Sequence, residues 1–396
     1  MRSCPTGQRI ETRVSPHRFP EQNASHIELL DSSDQSQGRA QFDAIVVPTH
    51  RPVGFLSTCI GLAQQTGVPL IVVCSRMVSK SQVVEVARQA NVEVFAVDLP
   101  QHPSNPLEGI SFGTSTDEGL LAASSGKTRD LSTKRNLGLV IAKMLGWRRL
   151  MFLDDDIYGV STKDVEALAA ALDHHNVSVL IPEEYPDNSV ACHAFRLGGG
   201  EQGKFASAGG MGVRCDRDDL PFFPNVYNED WFFFSEEAAR HKIAVVGVSQ
   251  QLEYDPFKDP ERAIKEEFGD LLAEGLYARL DAQLKISDVD EAYWIDFKES
   301  RMDFLRRVAE LLTAHPASEL KNDAGRKVAA ALKSIHAAQG QLERIGPELC
   351  QKFIDLWQAD LVEWHRYLTT KLPPSDSVGS ALNYLGLDYA ATLNGR

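Results

Sequence analysis

RRLMFLDDDI, residues 148–157, is the stretch on which the fold turns: an apolar run, LMFL, that ends in three consecutive carboxylates, Asp154, Asp155 and Asp156. Four apolar residues in a row predict a strand covered on both faces, the kind found in parallel sheets. In an open parallel sheet, ligands bind beyond the carboxyl ends of the strands, which is where these acids would stand. Strand alternation sends Asp154 and Asp156 to one side and Asp155 to the other. Adjacent carboxylates repel one another unless a cation or a hydrogen-bond network neutralises them. A hard divalent ion with oxygen ligands, Mg²⁺ or Mn²⁺, does so and can hold a diphosphate at the same time. A solvated acidic turn or a helix N-cap is the plainer alternative.

Upstream, FDAIVVP (42–48), PLIVVCS (69–75) and VEVFAVD (92–98) are further short apolar runs. Helix-like stretches, Phe55–Thr66 and Ser79–Ala90, separate them. Strands alternating with helices predict a parallel sheet with helices on both faces. A helix over Lys134–Leu145 leads into the acidic strand, and VSVLIP (177–182) and AVVGVS (244–249) are strand candidates beyond it. A Gly-rich stretch, Leu197–Gly212, and a helix start at NEDW (228–231) lie between those two. Between Leu99 and Ser132 the pattern lapses into Pro, Ser, Gly and Thr. A loop of that length inside a compact domain is either a lid or a disordered excursion.

Residues 1–40 are polar and read as a disordered leader without the apolar segment of a secretory signal. Past about Ala263, Met302, Leu305, Val308 and Leu312 fall at helical spacing, as do Leu349, Phe353, Leu356, Trp357, Leu361, Trp364 and Leu368. The expected organisation is therefore a leader (1–40), an α/β domain (41–262) and a mainly α-helical C-terminal region (263–396). That last region reads as an appended domain or a bundle facing a partner, including a second copy of the chain.

The chain has 396 residues, 43% of them hydrophobic, and a net charge of −14. It has enough apolar content for a sizeable core and lacks the basic footprint of nucleic-acid or anionic-membrane binding. No run reaches the ~18 apolar residues of a membrane span. The six cysteines show no CxxC pair or zinc spacing. A cytoplasmic setting is the expectation.

Four motifs in order resemble the nucleotide-sugar glycosyltransferases of the GT-A fold, especially the family-2 group. VVPTHRP (46–52) resembles the first strand and the turn that lines the nucleotide pocket. KRNLG (134–138) resembles the segment preceding the metal strand. FLDDDI resembles the D-x-D motif, and GGMGVR…NEDW (209–231) resembles the acceptor-side glycine loop and the E-D motif. The resemblance covers roughly residues 42–255 and implies a Rossmann-like mixed sheet flanked by helices. Its donor half is about 41–160 and its acceptor half about 161–262.

What the resemblance implies for residues is specific. Pro48, Thr49, His50, Arg51, Asp98, Lys134, Arg135, Asn136, Asp154 and Asp155 line the donor, a nucleoside-diphosphate sugar carrying UDP or GDP. Asp156 and Asp154 hold Mn²⁺ or Mg²⁺. Gly209, Gly210, Met211 and Trp231 meet a small-molecule or glycan acceptor, and Asp230, with Glu229, serves as base.

The chemistry is consistent with these residue types. A departing diphosphate needs its charge neutralised, and an acceptor hydroxyl needs a base in line with the sugar carbon. Plainer roles stay open: Lys134 and Arg135 as exposed helix residues, Glu229 and Asp230 as acids favouring a helix N-terminus, Trp231 as core, His50 as a polar surface residue, and the glycines as ordinary loop. Two departures stand out. VVCSRM (72–77) replaces the acids usual at the second strand, and no His occurs between His241 and His315 to complete a metal site.

Three other functions compete. An apolar strand ending in D-x-D also describes a haloacid-dehalogenase-like phosphatase, although that motif continues with Gly-Thr rather than Ile157, Tyr158, Gly159. Nucleotidyl transfer onto a sugar phosphate shares the sheet but prefers a Gly-rich phosphate loop. A scaffold that binds nucleotide sugar without turnover is the non-enzymatic possibility, and a retaining mechanism is open beside the inverting one.

Overall fold

The computed structural model describes residues 26–32, 40–99, 107, 109–124, 130–183, 189–201, 203–316 and 322–392. Ten strands form one mostly parallel sheet: β1 (Leu30–Asp31), β2 (Ala44–Thr49), β3 (Leu70–Cys74), β4 (Val94–Asp98), β5 (Arg149–Leu153), β6 (Ile157–Tyr158), β7 (Val177–Glu183), β8 (Gly210–Arg214), β9 (Ile243–Gln251) and β10 (Tyr389–Thr392). Their order is β1-β9-β7-β8-β5-β2-β3-β4-β10, with β6 pairing β9. Strand β8 runs antiparallel to both its neighbours, β5 and β7.

The apolar runs are strands because both faces are covered. Along β2, Ala44 and Val46 enter one core cluster, and Ile45 and Val47 enter the other. Pro48 sits in this central strand at no cost. Ile45 donates to Pro69 on the β3 side, so alternation turns position 48 toward β5, where pairing stops at Val46–Phe152. Helices Ser57–Thr66, Lys80–Gln89 and Thr162–Ala171 cover one face. Helix Asp130–Met144 and the C-terminal helices cover the other.

Several expectations change. The expected leader contains structure: Ile27–Leu29 is a 3₁₀ turn and β1 adds a parallel edge strand to β9. Burial of His26, Leu29 and Leu30 holds this segment down; residues 1–25 and 33–39 lie outside the described residues. The stretch 99–132, expected without structure, contains helices Gly113–Thr116 and Glu118–Ala123. Asp360 of helix Pro347–Thr370 accepts from the Gly113 and Thr114 amides at 2.7 and 2.9 Å and from the Thr114 hydroxyl at 2.7 Å. The start of the first expected helix is a 3₁₀ turn, Val53–Leu56.

The C-terminal helices, Glu261–Asp281, Glu291–Ala314, Asp323–Arg344, Pro347–Thr370 and Val378–Tyr384, share the core of the sheet instead of forming their own. Phe353 and Trp357 pack on Phe232, and Trp364 donates to the Leu220 carbonyl at 2.9 Å. The region ends in a strand, β10, antiparallel to β4.

Candidate active site at the sheet switch point

From β2 the chain runs outward through β3 to β4, then returns to lay β5 on the other side of β2. Such a reversal opens a crevice beyond the carboxyl ends of the two diverging strands. Thr49, His50 and Arg51 leave β2 on one wall of that crevice, and Asp154–Asp156 leave β5 on the other. Helix Asp130–Met144 lies across the sheet beneath them. It sits close because Gly138 carries no side chain: a Cβ there would stand 2.9 Å from Val46 Cγ2 and 3.3 Å from Phe152 Cε1.

The three acids do not alternate as a strand would dictate, because β5 ends at Leu153 and a turn begins at Asp155. Asp154 turns to Arg135, which donates to its two oxygens at 3.0 and 2.8 Å. Asp155 and Asp156 both face Arg51. Arg51 Nη1 donates to Asp155 Oδ1, and Nη2 donates to Asp156 Oδ2 at 2.9 Å. Thr49 Oγ1 donates to Asp155 at 2.6 Å and Gln251 Nε2 to Asp156 at 3.1 Å. Burial opposes the charge of Arg51, but Asp156 and Asp155 outweigh it and hold its pKa raised.

Lys134 and Arg135 are neighbours on a helix, and both are buried. Lys134 Nζ donates to the Thr49 carbonyl at 2.9 Å and to Ser75 Oγ at 2.8 Å, and lies 3.2 Å from Asp130. Burial lowers its pKa, with Asp130 opposing. Arg135 bridges Asp154 to Glu229 at the start of helix Glu229–Ala239. Its charge is thus committed to two carboxylates, so the expected contact with a donor phosphate gives way to a structural one. Asn136 also points inward, clamping the Phe223 backbone through both its amide atoms at 2.9 and 2.8 Å.

Glu229 and Asp230 follow Asn228, whose left-handed backbone (φ 61°) turns the chain sharply into the helix. Asn228 Nδ2 donates to Asp270 at 2.9 Å, and Asp270 accepts from buried Arg301 at 2.8 Å. Asp230 Oδ2 accepts from the Ala208 amide at 3.0 Å. Burial raises its pKa above the usual carboxylate value, Arg135 and the Ala208 amide pull it down, and Asp154 adds to the rise. A carboxyl poised in this way is suited to accept a proton.

Other expected residues fall at varied distances. His50 is half-buried at the crevice, its pKa lowered by burial and by Arg51 and Lys134. Asp98 shares a row with Cys74 and Thr49 along the carboxyl edge, about 10 Å from Thr49 at ordinary strand spacing. It accepts from the Lys80 amide at 2.7 Å. Burial pushes the Cys74 thiol up to about 12, leaving an inert group at the strand end where VVCSRM departs from the resembled pattern.

On the acceptor side, Gly209 stays at the crevice, its carbonyl accepting from the Asp154 amide at 2.9 Å. Gly210 and Met211 do not: both lie inside β8, and Met211 is fully buried in the core. Trp231 packs among His26, Phe205 and Tyr277 with centroids 4.6–5.1 Å apart, which gives its ring to the core. Gln251, the Ala208 amide and the Ser75–Asp130 pair belong to the site but carry no motif. Glu266, Asp270 and Glu274 at four-residue spacing were a polar stripe that the sequence did display.

The expected Mn²⁺ or Mg²⁺ does not fit these side chains as arranged. Asp154 and Asp156, the expected ligand pair, are held by different arginines. Among the described residues no three His, Cys, Asp or Glu side chains converge to hold an ion. No protein-family model matches this chain, and no curated protein matches it.

Proposed function

We propose that this protein is a glycosyltransferase that moves a sugar from a nucleoside-diphosphate sugar to a hydroxyl of a small-molecule or glycan acceptor, with inversion. The observation that carries the reading is the Arg135 bridge. It ties Asp154, at the end of a parallel strand, to Glu229, beside Asp230. A donor-side acid and the helix turn that carries the candidate base are thereby joined through one guanidinium.

In this reading the donor lies in the crevice between β2 and β5, with Arg51 facing its phosphates and Thr49, His50 and Gly209 on the walls. Lys134, behind the Thr49 carbonyl, adds positive charge to the same wall. The acceptor hydroxyl gives its proton to Asp230 as its oxygen attacks the sugar carbon and the diphosphate departs. Glu229 keeps Arg135 in place and does not itself meet substrate. The phosphatase alternative has less support, because Asp154, its nucleophile, has both oxygens on Arg135. Among the described residues no helix is long and apolar enough to cross a membrane. The net charge of −14 supports partners other than nucleic acid.

A thermal-shift screen against UDP, GDP, CDP and ADP, each with and without Mn²⁺ or Mg²⁺, tests the proposal. A ligand at a hundredfold its Kd stabilises by about 2.7 kcal/mol. One diphosphate is expected to raise the melting temperature, and an anomeric analysis of the product then separates inversion from retention. No shift with any nucleotide would overturn the donor site.

A further inference from the structure

Helix Glu261–Asp281 belongs to the C-terminal region, yet it grips the turn that launches Asp230 from behind. Gly269 leaves the room that the Tyr227 carbonyl fills, and a Cβ there would collide with it. One residue on, Asp270 accepts from Asn228 Nδ2 at 2.9 Å. Two turns further, on the same face of the helix, Tyr277 donates its hydroxyl to the Trp231 carbonyl at 2.8 Å. Asp230 lies in the chain between Asn228 and Trp231, the residues held by these hydrogen bonds. The grip has strain to contain: Asn228 has a φ of 61°, a left-handed conformation that a non-glycine residue keeps only where its surroundings hold it. The grip is itself fixed. Asp270 accepts from Arg301 at 2.8 Å, and Arg301, fully buried, also donates to Glu267 at 2.9 and 3.0 Å. Tyr277 is buried with its ring 4.6 Å from that of Trp231.

We propose that Asp270 and Tyr277 are positioning residues: by holding Asn228 and Trp231 they set where the Asp230 carboxyl stands. This rests on the function proposed above and deepens it. A base must lie within hydrogen-bond reach of the hydroxyl it deprotonates, and a misplacement of about 1 Å costs on the order of 10²-fold in rate. The C-terminal helices thereby act on the chemistry without meeting substrate.

Two substitutions loosen the grip with little else changed. Asn228→Gly keeps a left-handed backbone and removes the amide that Asp270 holds, and Tyr277→Phe removes one hydroxyl. Tyr293→Phe is the control, because Tyr293 donates its hydroxyl at 2.6 Å to the Gly275 carbonyl, on another face of the same helix. The reporter is the Ala208 amide, which donates to Asp230 at 3.0 Å; its NMR resonance in the alanine-labelled full chain is identified by its displacement in Asp230→Asn. In Asn228→Gly, in Tyr277→Phe and most of all in the double variant, this resonance is expected to move toward its Asp230→Asn position, while Tyr293→Phe leaves it in place. With donor and acceptor, kcat is expected to fall roughly tenfold in each single variant at unchanged KM and to hold in Tyr293→Phe. A resonance unmoved in the double variant, or moved equally by Tyr293→Phe, overturns the proposal. So does a resonance that moves while kcat stays at the wild-type value. If no nucleotide binds, the proposed function fails, and the Ala208 resonance, which needs no substrate, still decides whether Asp270 and Tyr277 place Asp230.

Discussion

Arg135 Nη2 donates to both oxygens of Asp154, at 3.0 and 2.8 Å, while its other terminal nitrogen serves Glu229. One buried acid, Glu229, and one partly buried acid, Asp154, therefore depend on one buried cation. Breaking such a pair from one side strands the charges left behind, at a cost of about 3–5 kcal/mol. Arg135→Gln is expected to lose that much in urea unfolding and to abolish diphosphate binding. Loss of under about 1 kcal/mol would mean the triad is dispensable.

Asp230 is held above the usual carboxylate range chiefly by burial. Its proton-accepting form disappears as pH falls through that raised value, so the acidic limb of kcat/KM is expected above the ordinary Asp value of about 3.9. Asp230→Asn is expected to lower kcat roughly 10²–10⁴-fold with diphosphate binding retained. Undiminished turnover in the variant would remove Asp230 from the chemistry.

Gly269 lies in helix Glu261–Asp281 directly behind the turn that launches Asp230. A Cβ there would stand 2.3 Å from the Tyr227 carbonyl oxygen and 2.8 Å from its carbon. Backbone, not a yielding side chain, is in the way. Gly269→Ala is expected to cost about 1–3 kcal/mol by overpacking, despite the ~1 kcal/mol that alanine gains in a helix. Displacement of Asn228 is also expected to depress kcat, and steady-state kinetics beside urea titration would show both.

His26 is 2% exposed, with Nδ1 2.7 Å from Asp281 and Nε2 3.8 Å from Glu274. Phe205, Trp231 and Tyr277 complete its surroundings. Burial works against its charge, but the two acids prevail and raise its pKa from 6.5 to about 9. A raised folded-state pKa adds stability that is full below the unfolded value and lost as pH climbs through the folded one. The contribution of up to about 3 kcal/mol is thus expected to vanish between pH 6.5 and 9. Chemical denaturation across that window should show a decline in wild type and a flatter profile in His26→Gln.

How much of this was legible in the sequence depended on where each element finds its reason. Strands β2–β5 and β7 announce themselves because burial on both faces demands unbroken apolar residues, and β9 does so through AVVGVS although Val248 is exposed. Strand β8 does not, since its glycines answer to packing: a Cβ on Gly212 would meet Ser178 Oγ at 2.5 Å. The 110–124 helices are short and depend on Asp360, far away in sequence. The acids of the site were visible, but their partners were not: Arg51 and Asp155 are 104 residues apart. The plainer alternative for Lys134 and Arg135, exposed helix residues, assumes a surface helix that buries one side only, whereas helix Asp130–Met144 is buried on nearly every side.

The two outermost strands of the sheet come from opposite regions of the chain: β1 from residues 30–31 and β10 from residues 389–392. Val94 of β4 donates to Thr392 Oγ1 at 3.2 Å across 298 residues. During synthesis β4 is therefore made early and waits with an open ladder until nearly 300 further residues have emerged. At ribosomal rates of roughly 5–20 residues per second, that wait is on the order of tens of seconds. An uncovered edge of this kind recruits other strands, so the nascent chain is most exposed to aggregation just before its last strand arrives, and shortening it there would make that transient hazard permanent.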